Sequence, residues 1–189
     1  MRVVGGQFRG RALATPGDDS TRPTSDRVRE AVFNILAHGV PGFALDGVRV
    51  LDLFAGTGAL GVEALSRGAA YCLFVEEDAQ ARGTIRRNVE TFGLSGITKI
   101  FRRDATALGP AENRGTFGLV FLDPPYGKGL GERALASAAA GVWLAPDAIA
   151  VIEERKGATI TLPAGFAALD QRTWGDTQVL FARYRDARS

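Results

Sequence analysis

The chain has little of what metal centres, disulfides and hydrolytic triads require. Its 189 residues include one cysteine, Cys72, and one histidine, His38. A single cysteine excludes an intramolecular disulfide and a cysteine zinc cluster, and a single histidine argues against a histidine-rich metal site or a Ser-His-Asp triad. Cys72 lies inside an apolar run, where a packed core thiol is the simplest interpretation. We therefore expect no metal site.

Long hydrophobic runs are also missing. No apolar stretch approaches the roughly 18 residues of a membrane span, and residues 1–6 lack the apolar segment of a secretory signal. A hydrophobic content of 46% and a charged content of 23% are typical of a soluble globular domain. We expect a cytoplasmic protein with no membrane partner, and a monomer, because no exposed apolar patch is legible in the sequence.

From about residue 48 the sequence alternates between strand and helix patterns. The predicted strands are 49–54, 71–76, 98–103, 117–122 and 147–153, and the predicted helices are 60–67, 78–92 and 131–142. Such alternation predicts an α/β fold with a parallel, doubly wound sheet. Two further strand-like runs, 167–174 and 177–184, flank Gly175 and Asp176. They predict a hairpin that ends the sheet with antiparallel strands.

The first 46 residues form a predicted N-terminal extension, and residues 47–189 form the main domain. Residues 2–13 suggest a short β-hairpin that turns at Gly5 and Gly6. Thr24 or Ser25 then caps a predicted helix. Its apolar stripe comprises Val28, Ala31, Val32, Ile35 and Leu36.

Basic side chains cluster in this extension, although the net charge of the chain is only +2. Residues 1–17 contain three arginines and no acid, and three more lie off the apolar stripe around the helix start. The candidate phosphate contacts are Arg2, Arg9, Arg11, Arg22, Arg27 and Arg29, with Lys128 farther along the chain. For the last three arginines and Lys128, a solvated surface role stays open.

A glycine-rich turn follows the first predicted strand. Gly56 and Gly58 allow positive φ and a close approach of the backbone to a ligand, while Gly61 allows tight helix–strand packing. The spacing satisfies G-x-G-x-x-G, and Glu76 ends the next strand, where an acid can hydrogen-bond ribose hydroxyls. This pattern alone is equally compatible with a nicotinamide-dependent or flavin-dependent enzyme.

Three features favour S-adenosylmethionine over a dinucleotide. Asp52 precedes the turn inside its strand, where a carboxylate can reach a cationic amino acid group. The chain leaves little length for a second substrate domain. Hydride transfer would not explain the sequence at 123–126, which we consider next. Asp104, at the end of the third strand, is placed to accept from an adenine amino group.

Asp123, Pro124, Pro125 and Tyr126 follow the fourth predicted strand, where open α/β sheets bind ligands. The prolines remove two backbone donors and stiffen the turn, leaving carbonyl acceptors and one carboxylate beside an aromatic ring. These groups suit an amino group on a nucleobase. We hypothesise that Asp123 and the Pro124 carbonyl accept hydrogen bonds from the amine, and that Asp123 then takes its proton without requiring a raised pKa. Tyr126 would stack on the base.

Taken together, the turn at 52–58, Glu76, Asp104 and Asp123 to Tyr126 resemble the class I S-adenosylmethionine-dependent methyltransferases. The blocks 2–11, 22–34 and 58–68 narrow the likeness to the RsmD family, which methylates guanine N2 in bacterial 16S ribosomal RNA. This likeness runs in order over most of the chain. Tyr126 stands where members often carry phenylalanine.

The resemblance implies a Rossmann-like, mostly parallel seven-stranded sheet, S-adenosylmethionine as methyl donor and 16S ribosomal RNA in a small-subunit particle as acceptor. It implies that Asp52, Gly56 and Gly58 line the methionine end, that Glu76 holds the ribose and that Asp104 and Ala105 flank the adenine. The full implied cofactor set is Asp52, Phe54, Ala55, Gly56, Gly58, Glu76, Glu77, Asp104 and Ala105.

Three alternatives remain open from the sequence. The motif at 123–126 suits adenine N6 in DNA or RNA equally well. A nicotinamide-dependent oxidoreductase would bind its cofactor without binding S-adenosylmethionine. A noncatalytic RNA-binding assembly factor would bind RNA without transferring methyl groups.

Overall fold

The computed structural model describes residues 1–17 and 24–186, and seven strands in these ranges form one sheet. The strands are β1 (Arg49–Leu53), β2 (Tyr71–Val75), β3 (Thr98–Phe101), β4 (Phe117–Leu122), β5 (Leu144–Arg155), β6 (Phe166–Trp174) and β7 (Thr177–Tyr184). The α-helices are α1 (Asp26–His38), α2 (Ala59–Ser66), α3 (Ala79–Thr91) and α4 (Leu130–Ala140). The strands and helices predicted from residue 48 onward, and the predicted N-terminal helix, are confirmed, with ends that differ by a few residues at most.

The strand order is β3-β2-β1-β4-β5-β7-β6. Strands β1 to β5 are mutually parallel, while β7 runs antiparallel to both β5 and β6. This Rossmann-like, mostly parallel sheet with a terminal antiparallel hairpin confirms the predicted fold class. The order reverses between β1 and β4, so their carboxyl ends lie side by side at the switch point where open sheets bind ligands.

Both faces of the central sheet are covered, which explains the near-continuous apolar strands. Val50 packs into the core layer that contains α1 and α2, whereas its neighbour Leu51 packs into the opposite layer with α4. Within the described ranges, no helix has the length and apolar character needed to cross a membrane.

The N-terminal segment differs from the expected hairpin. Only one antiparallel bridge, Arg2 to Ala12, joins its two arms in the described part of the chain, and a 3₁₀ turn at Gly6–Phe8 replaces the two-glycine turn. The reason is packing against α2. Gly6 has a φ of 73°, and a Cβ there would lie 1.9 Å from the carbonyl oxygen of Ser66, so the chain presses directly on the helix end. Val3 and Leu13 are buried in the same core layer as α2.

Helix α1 begins as the sequence predicts. The side chain of Ser25 accepts a hydrogen bond from the backbone nitrogen of Val28, so Ser25 is the cap rather than Thr24. The stripe is buried at Val28, Val32 and Leu36. Thr24 is thereby free of the capping role and points elsewhere, as described below.

Candidate active site

The glycine-rich turn has the close packing that its sequence predicts. Gly56 and Gly58 have positive φ values of 58° and 79°. A Cβ on Gly61 would lie 2.4 Å from the Phe74 ring and 2.6 Å from the Cys72 sulfur. Helix α2 therefore packs so closely on β2 that only glycine fits at this position. Phe54 also has a positive φ, of 55°, although it carries a side chain. Such strain in a non-glycine residue is typical of a functional turn.

Glu76 organises the mouth of this turn. Its carboxylate accepts a hydrogen bond of 2.8 Å from the backbone nitrogen of Gly56 and one of 3.0 Å from that of Asp78. The first contact bridges the loops that follow β1 and β2. The neighbouring Glu77 is exposed, and its carbonyl accepts from the guanidinium of Arg82. The backbone of the turn is therefore fixed by an acid in the position expected to meet a ribose.

Asp52 lies buried below the turn. One carboxylate oxygen accepts a hydrogen bond of 3.1 Å from the Gly61 backbone nitrogen. Burial raises the pKa of Asp52 well above its ordinary value, against a smaller lowering by that hydrogen bond. Glu76 adds a further repulsive charge. A cationic ligand group at this place would stabilise both carboxylates.

Asp104 follows β3 at the same carboxyl edge of the sheet. Its side chain caps a 3₁₀ turn, Ala105–Ala107, by accepting from the backbone nitrogen and the hydroxyl of Thr106 at 2.8 and 2.7 Å. These bonds lower the pKa of Asp104, and its carboxylate stays ionised. Ala105 is buried, as is Ala55, whose nitrogen donates to the Val75 carbonyl.

The motif at 123–126 lies at the carboxyl end of β4, next to the turn that follows β1. Pro124 is buried, Pro125 is exposed, and Asp123 and Tyr126 are partly buried. Burial, followed by the nearby carboxylate of Glu153, raises the pKa of Asp123 well above its ordinary value. The hypothesis did not require this shift. Asp52 contributes to it as well, so the charges of the two sites sense each other.

Thr24 and Glu153 complete the candidate site, although no sequence motif assigned either residue to it. The Thr24 hydroxyl lies 3.1 Å from Oδ2 of Asp123 and 2.7 Å from Oε2 of Glu153. The hydroxyl of Tyr126 donates to Oε1 of Glu153 at 2.7 Å and lies 3.3 Å from Oγ1 of Thr177. We call Thr24, Asp123, Tyr126 and Glu153 the carboxylate cluster. The one available signal was Glu153 itself, an acid that directly follows the apolar run 148–152 within a predicted strand.

The arginines proposed for RNA occupy different environments. Arg2, Arg9, Arg11 and Arg27 are exposed, as is Lys128 in the loop before α4. Arg2 donates to the Gly10 carbonyl. Arg11 donates to the Thr91 carbonyl at 3.0 Å and packs over the rings of Phe8 and Phe92. Arg22 lies outside the described residues.

The location of Arg11 separates it from the carboxylate cluster. Thr91 ends α3, and α3 begins at the carboxyl edge of the sheet, so its 13 residues place Arg11 roughly 20 Å toward the opposite edge. Arg27, in the first turn of α1, lines the cavity beside Tyr126 instead.

Arg29 corrects the sequence interpretation. It is 0% exposed, and its guanidinium pairs with Glu63 at 3.4 Å and Asp26 at 2.9 Å and donates to the Arg2 carbonyl. A buried, paired guanidinium is not available to a phosphate. Its spacing from Phe33 and Leu36, at i+4 and i+7, already placed it on a buried face of α1.

Comparisons with known proteins identify the family of this chain. Residues 1–183 match the family described as Conserved hypothetical protein 95. The chain is 47% identical over 128 residues to the putative rRNA methyltransferase YlbH of Bacillus subtilis, a match that covers 67% of each protein. It is 35% identical over 187 residues to the ribosomal RNA small subunit methyltransferase D of Escherichia coli, covering 98% of this chain and 89% of that protein.

Solved structures of methyltransferases share the fold of this chain. The putative methyltransferase yhhF from Escherichia coli superposes with a TM-score of 0.82 at 31% identity, covering 98% of each chain. An RNA methyltransferase from Salinibacter ruber, solved with S-adenosyl-L-homocysteine, shares the fold with a TM-score of 0.64 at 15% identity, covering 87% of this chain and 95% of that one. The chain therefore belongs to the family described as Conserved hypothetical protein 95, the RsmD family of methyltransferases.

Proposed function

We propose that this protein transfers a methyl group from S-adenosylmethionine to the exocyclic N2 amine of a guanine in 16S ribosomal RNA. The observation that carries the proposal is the juxtaposition at the switch point. The glycine turn after β1 and the Asp-Pro-Pro-Tyr motif after β4 lie on adjacent parallel strands, with Asp52 paired to Phe121 and Leu53 to Leu122. A donor in the first loop and an amine in the second would meet there.

The residues at this edge fit the cofactor. Glu76 presents a carboxylate already oriented by two backbone donors, which suits ribose hydroxyls. Burial and the nearby Glu76 carboxylate raise the pKa of Asp52, and a cationic amino acid group bound there would stabilise its ionised form. Asp104, with Ala105 beside it, offers an ionised acceptor for an adenine amino group. When bound, S-adenosylmethionine supplies an electrophilic methyl group on a sulfonium.

The motif residues would prepare the amine. A guanine amine is a weak nucleophile because its lone pair is delocalised into the ring. Hydrogen bonds to the Asp123 carboxylate and the Pro124 carbonyl favour a pyramidal nitrogen whose lone pair points out of the ring plane. Asp123 then takes the proton that the methylated nitrogen releases, and its raised pKa suits that acceptor role. Tyr126 provides the ring on which the base stacks.

The relatives named as ribosomal RNA small subunit methyltransferases support small-subunit ribosomal RNA as the acceptor, and we propose that a small-subunit particle presents it. In this proposal the exposed Arg9, Arg27 and Lys128 contact RNA phosphates, and residues 1–46 act as the RNA-facing extension. Arg27 is the contact nearest the reacting base, because it lines the cavity beside Tyr126.

The test is transfer of labelled methyl groups to small ribosomal subunits from a strain that lacks the enzyme, followed by digestion and identification of the modified nucleoside. N2-methylguanosine at one position is the expected product. N6-methyladenosine would overturn the guanine assignment and favour the adenine alternative, and cofactor binding without any transfer would overturn the enzymatic role.

Two variants complete this experiment. Asp123→Ala is expected to abolish transfer while cofactor binding persists. Asp170→Ala is the matched control, because Asp170 forms a solvent-facing ion pair with Arg172 on edge strand β6. Full turnover by Asp123→Ala would contradict the assigned role of that carboxylate.

A further inference from the structure

A cavity of about 500 Å³ lies beside Tyr126, between the start of α1 and the tip of the β6–β7 hairpin. Its walls include Thr24, Arg27, Tyr126, Glu153, Trp174 and Thr177. The volume exceeds that of a single purine nucleoside. Two aromatic side chains, a carboxylate and a cation line it, and this combination can hold a base together with its phosphate.

Glu153 is held rigidly at this cavity. Its two carboxylate oxygens accept one hydrogen bond each, from Tyr126 at 2.7 Å and from Thr24 at 2.7 Å. A carboxylate has about four acceptor sites, so two remain for a ligand. Only 8% of the residue surface is exposed, so a donor that reaches it leaves water behind.

A base stacked on Tyr126 would bring one edge to Glu153. The Glu153 carboxylate is bonded to the hydroxyl end of the Tyr126 ring, so it lies at the rim of any group that covers that ring. The single Thr24 hydroxyl contacts both Asp123 and Glu153, so one base can reach both acids. Guanine carries donors on two adjacent positions of its Watson–Crick edge, N1–H and the N2 amine.

We infer that Glu153 selects guanine by accepting the N1 hydrogen while Asp123 accepts from the N2 amine. The inference rests on the proposed function and names the residue that would make it specific. Adenine presents an unprotonated N1 at the corresponding position, and its lone pair would face a carboxylate in a nearly dry site. The adenine N1 and the Glu153 carboxylate are both acceptors, so no hydrogen lies between them. This mismatch disfavours the binding of adenine.

The inference can be tested by replacing the target guanine with 2-aminopurine in reconstituted small subunits. This analogue keeps the exocyclic 2-amine, has a lone pair in place of the N1 hydrogen and also lacks the O6 carbonyl. The loss of O6 is the same for every protein compared, so the change of the ratio in Glu153→Gln reports the contact at N1. The wild-type protein is expected to methylate guanine about tenfold to a hundredfold faster than 2-aminopurine, the usual value of one hydrogen bond to a charged group. Glu153→Gln can donate from its amide to the analogue's N1, so the ratio should fall to near one or invert.

The ratio of the two rates is internal to each protein, so partial loss of folded Glu153→Gln does not affect it. Glu90→Gln is the matched control, because Glu90 is an exposed acid of α3 remote from the cluster, and it should keep the wild-type ratio. A wild-type ratio near one, or a wild-type ratio retained by Glu153→Gln, would overturn the selection role alone. Absence of N2-methylguanosine with wild-type protein would instead overturn the proposed function.

Discussion

The hydroxyl of Tyr126 donates a hydrogen bond of 2.7 Å to the carboxylate of Glu153 on β5. This contact gives the phenol its partner and explains how a tyrosine can stand where relatives of this family often carry phenylalanine. The bond fixes the ring at its far end, while Pro124 and Pro125 stiffen its backbone. The last residue of the motif is thus anchored from two strands, β4 and β5.

Tyr126→Phe keeps the ring and loses this anchor, so we expect a loss of a few fold in the rate of methyl transfer. Tyr126→Ala removes the stacking surface itself. Base–aromatic stacking is worth about 1–3 kcal/mol, which corresponds to a further tenfold to hundredfold loss. Single-turnover rates on small subunits measure both. Equal losses in the two variants would show that the ring does not act by stacking.

The pH dependence of transfer should report Asp123, because only its ionised form accepts from the amine. Burial and the Glu153 carboxylate raise the pKa of Asp123, so the rate should rise with pH at a higher pH than for an ordinary aspartate. Glu153→Gln removes a negative charge and should shift the rise to lower pH. Thr24→Val removes a hydroxyl whose single hydrogen is shared between the carboxylates of Asp123 and Glu153. Because the contact with Thr24 lowers the pKa of Asp123, its loss should shift the rise to higher pH.

The opposed directions are the decisive feature of this test. Asp52 and the Tyr126 hydroxyl, the other titratable groups that interact with Asp123, are unchanged in both variants. Thr24→Ser retains the hydroxyl and should keep the wild-type profile. Shifts of Glu153→Gln and Thr24→Val in the same direction would disprove this electrostatic account of Asp123.

We expect the buried carboxylate of Asp52 to lower the stability of the folded protein and to raise its affinity for the cofactor. Its pKa is higher in the folded than in the unfolded chain, so its charge destabilises the fold at every pH above the folded pKa. This penalty disappears as the pH falls toward the unfolded value of about 3.9. Asp52→Asn keeps an acceptor for the Gly61 nitrogen without the charge.

Urea unfolding should therefore find Asp52→Asn more stable than the wild type at neutral pH, by on the order of 1–3 kcal/mol. The difference should shrink steadily on acidification. Cofactor affinity, measured by calorimetry in parallel, should fall. A stability difference that does not depend on pH would contradict burial of the charge as its source.

Features that depend on neighbouring residues could be predicted from the sequence, whereas contacts between residues far apart in the chain could not. The strands of the central sheet are legible because parallel strands buried on both faces are apolar runs between turn residues. The start of β5 is less legible, because a register shift against β4 and a positive φ at Asp147 carry the strand back to Leu144 through Pro146.

The carboxylate cluster shows where sequence reasoning reaches its limit. Asp123 and Tyr126 are recognisable as neighbours in a local motif. Thr24 is separated from Asp123 by 99 positions and from Glu153 by 129, and only the tertiary fold, which lays the residue before the α1 cap against β4 and β5, brings them together. Arg29 could have been placed correctly from its helical spacing, but its charge suggested a surface role.

Arg29 and Arg27 lie two positions apart on α1 and should behave in opposite ways. Arg29→Ala leaves the buried Glu63 without one of its partners, which typically costs about 3–5 kcal/mol of stability. Arg27→Ala removes an exposed charge at the cavity rim, so stability should hardly change. RNA affinity of Arg27→Ala should fall, and the slope of log affinity against log salt should flatten by about 1.

Thermal unfolding and filter binding at several salt concentrations measure these effects. Arg9→Ala extends the comparison to an exposed arginine of the N-terminal segment. If Arg9→Ala and Arg27→Ala both leave the salt slope unchanged, neither residue contacts a phosphate. If Arg29→Ala is as stable as the wild type, the buried ion pair is not a structural element.

The two glycines of the cofactor turn should fail for different reasons. Gly61→Ala would place a methyl group 2.4 Å from the Phe74 ring, so the helix must move off the sheet, at a typical cost of about 1–3 kcal/mol. At Gly56 the nearest atom to an added Cβ is 3.9 Å away, but a φ of 58° disfavours alanine, by about 1 kcal/mol or more. Gly56→Ala should therefore fold, with a turn whose backbone nitrogen no longer meets Glu76 correctly. We expect Gly56→Ala to lose much cofactor affinity and little stability, and Gly61→Ala to lose much stability and less cofactor affinity.

Calorimetric binding and urea unfolding of both variants measure the two quantities. If the two variants lose affinity and stability in the same ratio, Gly56 and Gly61 do not have the separate roles of ligand contact and packing.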